Sequence, residues 1–200
     1  MVAGLPGKKE NNFLSIKCQE KKMLDLKEQE KIRNEALEFF KKAGIILTDE
    51  EKANKIQVVD YIGNFYVMGL VMVPFVNVER YCGKFILFFP GQSCAEHWHP
   101  DIKGKSGKEE TFRVLWGKAF AYGPGEPTKV IKAKIPTGRE EYYTCRHEVI
   151  LNPGDQYTVG LNEKHWWQAG PEGVIALEVS SKSRDEYDLT TDSRLVTSIY

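Results

Sequence analysis

Three histidines and a glutamate have the types and spacings that could bring them to one metal ion. His97 and His99 lie two residues apart, so on a β-strand both side chains would point to the same face. His165 follows the turn sequence Pro153-Gly-Asp155 by about one strand and a turn. Imidazoles combined with a carboxylate suit Mn, Fe, Ni, Co or Zn and leave coordination positions open. A lone His-x-His pair is usually structural, but the ordered block of motifs predicts a metal site.

The glutamate of this set is predicted to be Glu110 rather than its neighbour Glu109. Strand alternation places Glu110 on the same face as Phe112, Val114 and Trp116. These large apolar side chains are expected to face the interior, whereas Glu109 would point outward. The alternation therefore predicts Glu110 as a ligand and Trp116 as an interior residue.

The segments that must position these residues are predicted to be strands, because they are rich in Val, Ile, Phe and Tyr and are separated by Gly, Pro and Asn. They are Gln57–Tyr61, Phe65–Met72, Lys84–Phe89, Glu110–Tyr122, Lys129–Ile135, Tyr142–Leu151, Gln156–Val159 and Val174–Ser180. Many short strands with few helices between them favour an antiparallel sandwich or barrel over a parallel α/β sheet. The last twenty residues, 181–200, are polar and are expected to wrap back over the barrel.

Two helices are predicted before the strands. Apolar residues recur at helical spacing from Glu20 to Ala43, and Gly44 supplies a stop. Thr48 and Glu51 form a capping-box pattern that starts a short second helix. We therefore expect an N-terminal arm and helices, residues 1–56, packed on a β-barrel with a C-terminal extension, residues 57–200, as one domain overall.

The composition argues against several classes of function. Among 200 residues, 28 basic side chains balance 28 acidic ones, so there is no net charge to attract nucleic acid or an anionic membrane. The N-terminal sequence has no apolar stretch typical of a signal peptide. The cysteines form no Cys-x-x-Cys pair and are expected to be reduced; they are Cys18, Cys82, Cys94 and Cys145. We therefore expect a cytoplasmic protein without nucleic-acid or membrane partners, with Cys94 near the pocket.

Around the histidines the sequence resembles the cupin superfamily and, within it, the cupin-type D-lyxose isomerases. The resemblance extends from about residue 84 to residue 188. It rests on three motifs, which are Glu96-His-Trp-His-Pro100, Lys108-Glu-Glu-Thr-Phe112 after a widened polar gap, and Glu178-Val-Ser-Ser181.

The resemblance implies a cupin β-barrel that acts as a Mn-preferring aldose–ketose isomerase, with Co, Fe, Ni or Zn as alternative ions. The ligands that it implies are His97, His99, Glu110 and His165. It also implies a monosaccharide substrate (D-lyxose/D-xylulose, with D-mannose/D-fructose as a second pair), a homodimer, and a substrate contact at Asp188.

Interconversion of an aldose and a ketose requires a proton or a hydride to move between C1 and C2. A divalent ion that chelates O1 and O2 stabilises the developing enediolate, and a general base must lie over the C1–C2 bond. Glu178 is the predicted base, because a lone carboxylate in an apolar strand is costly unless it is paired or functional; an outward-facing Glu178 is the alternative. Lys108 shares the parity of Glu110 and is predicted to place a cation beside the sugar oxygens, with a solvated lysine as the alternative.

Other side chains are weaker candidates for the pocket. Trp98 is expected to pack against a C–H face of the sugar, and Tyr122 and Gln168 are expected to contact its hydroxyl groups. The remaining histidine, His147, has no motif around it and is predicted to be a surface residue.

Three other functions stay open on the sequence alone. The same ligands could bind Fe(II) in a cupin dioxygenase. A cupin-type phosphosugar isomerase would need basic residues at the pocket mouth, which Lys103, Lys105 and Lys108 could supply. A cupin barrel could also bind a sugar without turning it over.

Overall fold

An eight-stranded antiparallel sheet and a two-stranded sheet dominate the computed structural model, which describes residues 23–200. The strands are β1 (Gln57–Asp60), β2 (Gly69–Asn77), β3 (Cys82–Phe88), β4 (His97–Trp98), β5 (Glu110–Gly123), β6 (His147–Leu151), β7 (Gln156–Val159), β8 (Trp166–Ser180), β9 (Leu189–Thr190) and β10 (Ser198–Ile199). The large sheet has the order β10-β1-β2-β3-β8-β5-β6, with β7 also paired to β5, and β4 pairs with β9. The predicted antiparallel β architecture is confirmed.

Two helices precede the sheet, as predicted. Helix α1 (Leu26–Lys42) begins with a capping box formed by Asp25 and Glu28, and helix α2 (Asp49–Asn54) begins with the predicted box of Thr48 and Glu51. Neither of these two described helices has the length and apolar character needed to cross a membrane. The predicted arm, the first residues of the predicted helix and Cys18 lie outside the described residues.

The central strands bury both faces. One face lines an interior core that includes Leu70, Met72, Ile86 and Phe88. The opposite face packs in a second cluster beneath the buried stripe of α1 and includes Val71, Val73, Leu87 and Phe89. Because both faces are covered, β2 and β3 are nearly continuous apolar runs rather than alternating ones.

The strand predicted at Lys129–Ile135 is wrong, because this segment is a loop. Side chains form hydrogen bonds with backbone groups that would otherwise bond to a neighbouring strand. The amide of Ala133 donates to the hydroxyl of Tyr122 at 3.0 Å, and the amide and carbonyl of Lys134 bond to the side chain of Gln168 at 2.7 and 2.8 Å. The segment satisfies its polar backbone without joining the sheet.

Some strand boundaries also differ from the predictions. β2 continues past Met72 because its register with β3 shifts between Pro74 and Val76, and a bulge tolerates a proline. β8 begins at Trp166 rather than Val174, since its first part pairs with β5 before the second part pairs with both β3 and β5. β6 begins at His147, well after the predicted start at residue 142.

Two irregularities in β5 decide which of its side chains face the interior. The register with β8 shifts between Val114 and Trp116 and again between Gly117 and Ala119, and such bulges reverse strand alternation. Phe112 and Val114, which precede the shifts, belong to the interior core as predicted. The prediction for Trp116 is wrong, because its ring packs 5.8 Å from that of Phe39 in the cluster under α1.

The C-terminal residues return to the two sheets. β9 pairs with β4, so that Thr190 lies opposite His97. β10 pairs with β1, so that Ile199 lies opposite Val59. The tail therefore packs beside the strand that carries the first predicted ligand.

The second irregularity of β5 predicts a backbone constraint at Gly117. Its φ is +78°, and an added Cβ would collide with the carbonyl oxygen of Gly173. We expect Gly117→Ala to lower the free energy of unfolding by about 2 kcal/mol or more, because strain and collision add. Gly104 has a similar φ of +77°, but no heavy atom lies within 4 Å of an added Cβ. Gly104→Ala should therefore lower the free energy of unfolding by only about 1 kcal/mol. Urea denaturation measures both, and equal losses would contradict a specific constraint at Gly117.

Candidate metal centre

The structure brings together all four residues that the sequence singled out as ligands. One ligand atom from each of His97, His99, Glu110 and His165 lies within 4.8 Å of those of the others, and this group could hold a metal ion. Reciprocal backbone hydrogen bonds of 3.0 and 2.9 Å join His97 and His165. Glu110 is the first residue of β5 and is held between β7 and β8. Backbone pairing therefore fixes the relative positions of three of the four side chains.

Each of the three histidines uses its Nδ1 atom in a hydrogen bond. The Nδ1 atoms of His97 and His165 lie 2.9 and 3.0 Å from the backbone carbonyls of Ala95 and Glu163. Because a carbonyl only accepts, these Nδ1 atoms carry the proton and the Nε2 atoms carry a lone pair. The Nδ1 atom of His99 lies 2.6 Å from Oδ1 of Asp188. Hydrogen bonds of this kind orient imidazoles that ligate metals.

The assigned tautomers leave two acceptors facing each other. Nε2 of His165 is buried without a hydrogen-bond donor among the described residues, and it lies 3.0 Å from Oε1 of Glu110. Two acceptors at this distance repel each other, and a cation coordinated by both would remove the repulsion. The donor set fits a divalent ion on this observation.

Electrostatics favour the deprotonated forms that a metal needs at two of these residues. Burial and the neighbouring histidines hold the pKa of His97 well below its ordinary value. Burial opposes ionisation of Glu110, but Lys108 and His99 outweigh it and hold the pKa of that carboxyl well below its usual range. Burial lowers the pKa of His99, but the Glu110 carboxylate and the bond to Asp188 raise it to about 9, so metal binding at His99 would release a proton.

A cavity lined by three of the four residues, His97, Glu110 and His165, carries unbalanced charge. Its lining includes four carboxylates and two lysines, which are Glu110, Glu178, Asp185, Asp188, Lys84 and Lys108. Four acids against two bases leave an excess of two negative charges when the imidazoles are neutral. A divalent cation would neutralise that excess, and buried charge is stable when it is paired or coordinated to a metal.

The predicted base lies in this cavity. Glu178 is buried at 2% exposure, and its carboxylate lies 3.4 Å from the ammonium groups of Lys84 and Lys108 and 3.0 Å from the Ser180 hydroxyl, which donates to it. Burial raises the pKa of Glu178, and Lys108 and Lys84 offset only part of the rise. The outward-facing alternative is excluded, and so is a solvated Lys108, which lies 2.6 Å from Oε2 of Glu110.

Three side chains that were expected to contact a sugar lie outside the cavity lining. Trp98 is not among the lining residues, and the ammonium nitrogen of Lys164 lies 5.0 Å from the centroid of its ring. Tyr122 stacks on Trp166 with ring centroids 3.9 Å apart. Its hydroxyl donates a hydrogen bond to the carboxylate of Glu148 and accepts one from the amide of Ala133. Gln168 holds the loop at Lys134. The polar groups of Tyr122 and Gln168 are thus engaged by other parts of the fold.

The other expectations near the site have mixed outcomes. Asp188 does line the cavity, where it also orients His99. Cys94 lines the cavity as expected, and burial raises the pKa of its thiol to about 12. His147 is half-buried and lies outside the cluster, bonded to the carbonyl of Glu126.

Sequence reasoning missed Lys84. This lysine is buried on β3, lines the cavity, and lies directly opposite Glu178 in the pairing of β3 with β8. The signal that singled out Glu178, a lone charge in an apolar strand, is also present at Lys84 and could have identified it.

The sequence and the fold of this chain are similar to those of known proteins. No family model matches the chain. It is 49% identical over 164 residues to a D-lyxose ketol-isomerase from Cohnella laeviribosi, covering 82% of this chain and 90% of that protein. It is 47% identical over 174 residues to a D-lyxose/D-mannose isomerase from Thermosediminibacter oceani, covering 86% and 96%.

Among solved structures, L-ribose isomerases share the fold. The enzyme from Cellulomonas parahominis gives a TM-score of 0.67 at 16% identity, covering 87% of this chain and 95% of that one. The enzyme from Acinetobacter sp. DL28 in complex with L-ribose gives 0.66 at 16% identity, covering 82% and 83%. At these identities the likeness shows the cupin fold alone.

The geometry predicts that adjacent carboxylates differ in metal binding. We expect Glu110→Gln to abolish stoichiometric binding of Mn²⁺ or Co²⁺, because the amide removes a charged oxygen donor from the cluster. Glu109→Gln is the matched control, since Glu109 is exposed and lies one residue away. Calorimetric titration of chelator-treated protein measures both, and equal binding by the two variants would contradict the ligand assignment.

Proposed function

Because the chain belongs to the D-lyxose ketol-isomerase family, we propose that it interconverts D-lyxose and D-xylulose, with D-mannose and D-fructose as a second substrate pair. The observation that carries this proposal is that Glu178 lines one cavity together with His97, Glu110 and His165 of the four-residue cluster. A base and a candidate Lewis-acid site at the same cavity are the two requirements for moving a proton between adjacent carbons.

We propose that His97, His99, Glu110 and His165 hold a divalent ion, with manganese preferred over cobalt, iron, nickel or zinc. Three nitrogen donors and one carboxylate oxygen are compatible with each of these ions, and the sequence resemblance favours manganese. When bound, the ion supplies Lewis-acid polarisation of the substrate carbonyl and of the neighbouring hydroxyl.

The chain's own residues move the protons. In the direction from aldose to ketose, Glu178 takes the proton from C2 and returns it to C1, while a second proton passes from O2 to O1, so the reaction has no net redox change. A buried carboxylate with a raised pKa is a stronger base than one in water. Lys108, held between Glu110, Glu178 and Asp185, presents a fixed positive charge to the oxygens at which negative charge develops.

The geometry gives less support to a phosphosugar substrate. Lys103 and Lys105 are exposed, Lys105 pairs with Glu79 at 2.7 Å, and neither lysine lines the cavity. Lys108, the third basic residue considered for the pocket mouth, is buried among carboxylates. A dioxygenase and a non-catalytic sugar-binding protein are distinguished by the assay below. The homodimer and the cytoplasmic location stay predictions.

The experiment that tests the function is an isomerase assay with defined metal content. Protein is stripped with a chelator, reloaded separately with Mn, Co, Fe, Ni or Zn, and given D-lyxose and D-mannose. We expect turnover with Mn or Co, and we expect Glu178→Gln to lower kcat by about 10²–10⁴-fold with its metal retained, because the base is lost.

Glu172→Gln is the matched control, because Glu172 is an exposed residue of the same strand. It should turn over like the wild type. If the metal-loaded protein turns over neither sugar and the Fe form consumes oxygen, the result would contradict the isomerase proposal and favour a dioxygenase. Sugar binding without turnover would indicate a binding protein.

A further inference from the structure

Lys84 is a buried lysine that the proposed reaction leaves without a role. It is 3% exposed and lines the same cavity as Glu178. Its ammonium nitrogen lies 3.4 Å from Oε2 of Glu178, 2.8 Å from Oδ2 of Asp185 and 3.1 Å from the hydroxyl of Ser183. Burying an ammonium group is costly, so these contacts must compensate for its lost hydration.

Lys84 is one member of a closed ring of four charges. Lys108 lies 3.4 Å from Oε1 of Glu178 and 3.2 Å from Oδ1 of Asp185, so lysines and carboxylates alternate around what we call the four-charge ring: Lys84, Glu178, Lys108 and Asp185. The two lysines differ in one respect. Lys108 also contacts Glu110, a proposed metal ligand, whereas the acidic contacts of Lys84 are with Glu178 and Asp185.

We propose that Lys84 is a positioning residue that keeps the Glu178 carboxylate ionised and oriented toward the cavity, ready to accept the proton from the substrate. This inference rests on the proposed isomerase function. The backbone supports it, because Lys84 and Glu178 are direct partners in the antiparallel pairing of β3 with β8. Each lysine of the ring holds one oxygen of the Glu178 carboxylate, which restrains its rotation.

The charges around Glu178 give the direction of the effect. Burial raises the pKa of Glu178, Lys108 and Lys84 lower it, and Glu110 and Asp185 raise it. Removing Lys84 leaves one adjacent cation to oppose burial and two like charges, so the carboxyl would hold its proton to higher pH. The base form would then be lost on the acid side and recovered as the pH rises.

The test compares the pH dependence of kcat and KM for Mn-loaded wild type, Lys84→Met and the control Lys105→Met. Lys105 is an exposed lysine outside the cavity lining. We expect Lys84→Met to move the acid limb of kcat upward by about one pH unit, an approximately tenfold loss on the acid side that recovers at high pH. KM and bound Mn should change less than about twofold, and Lys105→Met should follow the wild type.

A loss of kcat that is the same at every pH, or a loss of bound Mn, would overturn the inference, since a merely structural lysine produces those results. If Lys84→Met does not fold, the wild type is tested by NMR of ¹⁵N-labelled lysine side chains, with Lys84→Arg used for assignment. The Lys84 ammonium resonance should titrate with the midpoint of the kinetic acid limb, and a resonance that stays constant across that range would overturn the inference. Wild-type protein without isomerase activity contradicts the proposed function instead.

Discussion

Mutual neutralisation of buried charge is the constraint on which the rest of this site depends. Six charged side chains surround one cavity, and each alone would be costly to remove from water. Their arrangement shifts the pKa values of the two glutamates, Glu110 and Glu178, in opposite directions. Lys108 and His99 hold the pKa of Glu110 low in spite of burial, whereas burial keeps the pKa of Glu178 high in spite of two lysines. One carboxylate is thereby suited to bind a cation and the other to bind a proton.

The sheet enforces this separation through its register. β8 lies between β3 and β5, and its Glu178 is opposite Lys84 on one side and Phe112 on the other. Glu110 is two residues from Phe112 and opposite Ser180. Lys84, Glu178 and Glu110 are thus carried on three adjacent strands, which hold functional groups more precisely than loops do. A shift of one residue in either pairing would turn Glu178 out of the cavity.

The parts of this arrangement that were predictable from sequence are those governed by local periodicity. Alternation correctly distinguished Glu110 from Glu109 and placed Phe112 inside, because β5 is regular over those residues. The same alternation failed at Trp116, since the register of β5 with β8 shifts between Val114 and Trp116, and β8 lies far away in sequence. The prediction of a strand at Lys129–Ile135 failed because of side chains elsewhere in the chain. They form hydrogen bonds with its backbone in place of the strand pairing that its composition predicts.

The tail illustrates why the complete site could not be derived from periodicity. Asp185 and Asp188 supply two of the four carboxylates in the cavity, and they reach it because β9 pairs with β4 beside His97. Without the tail, the two remaining acids would balance the two lysines, and the cavity would have no excess negative charge. With neutral imidazoles, docking of the tail creates the excess of two, and it also orients His99 through Asp188. A divalent cation that binds the docked form more strongly must stabilise docking by the same free energy, so the two lysines, the tail and the proposed ion form one coupled system.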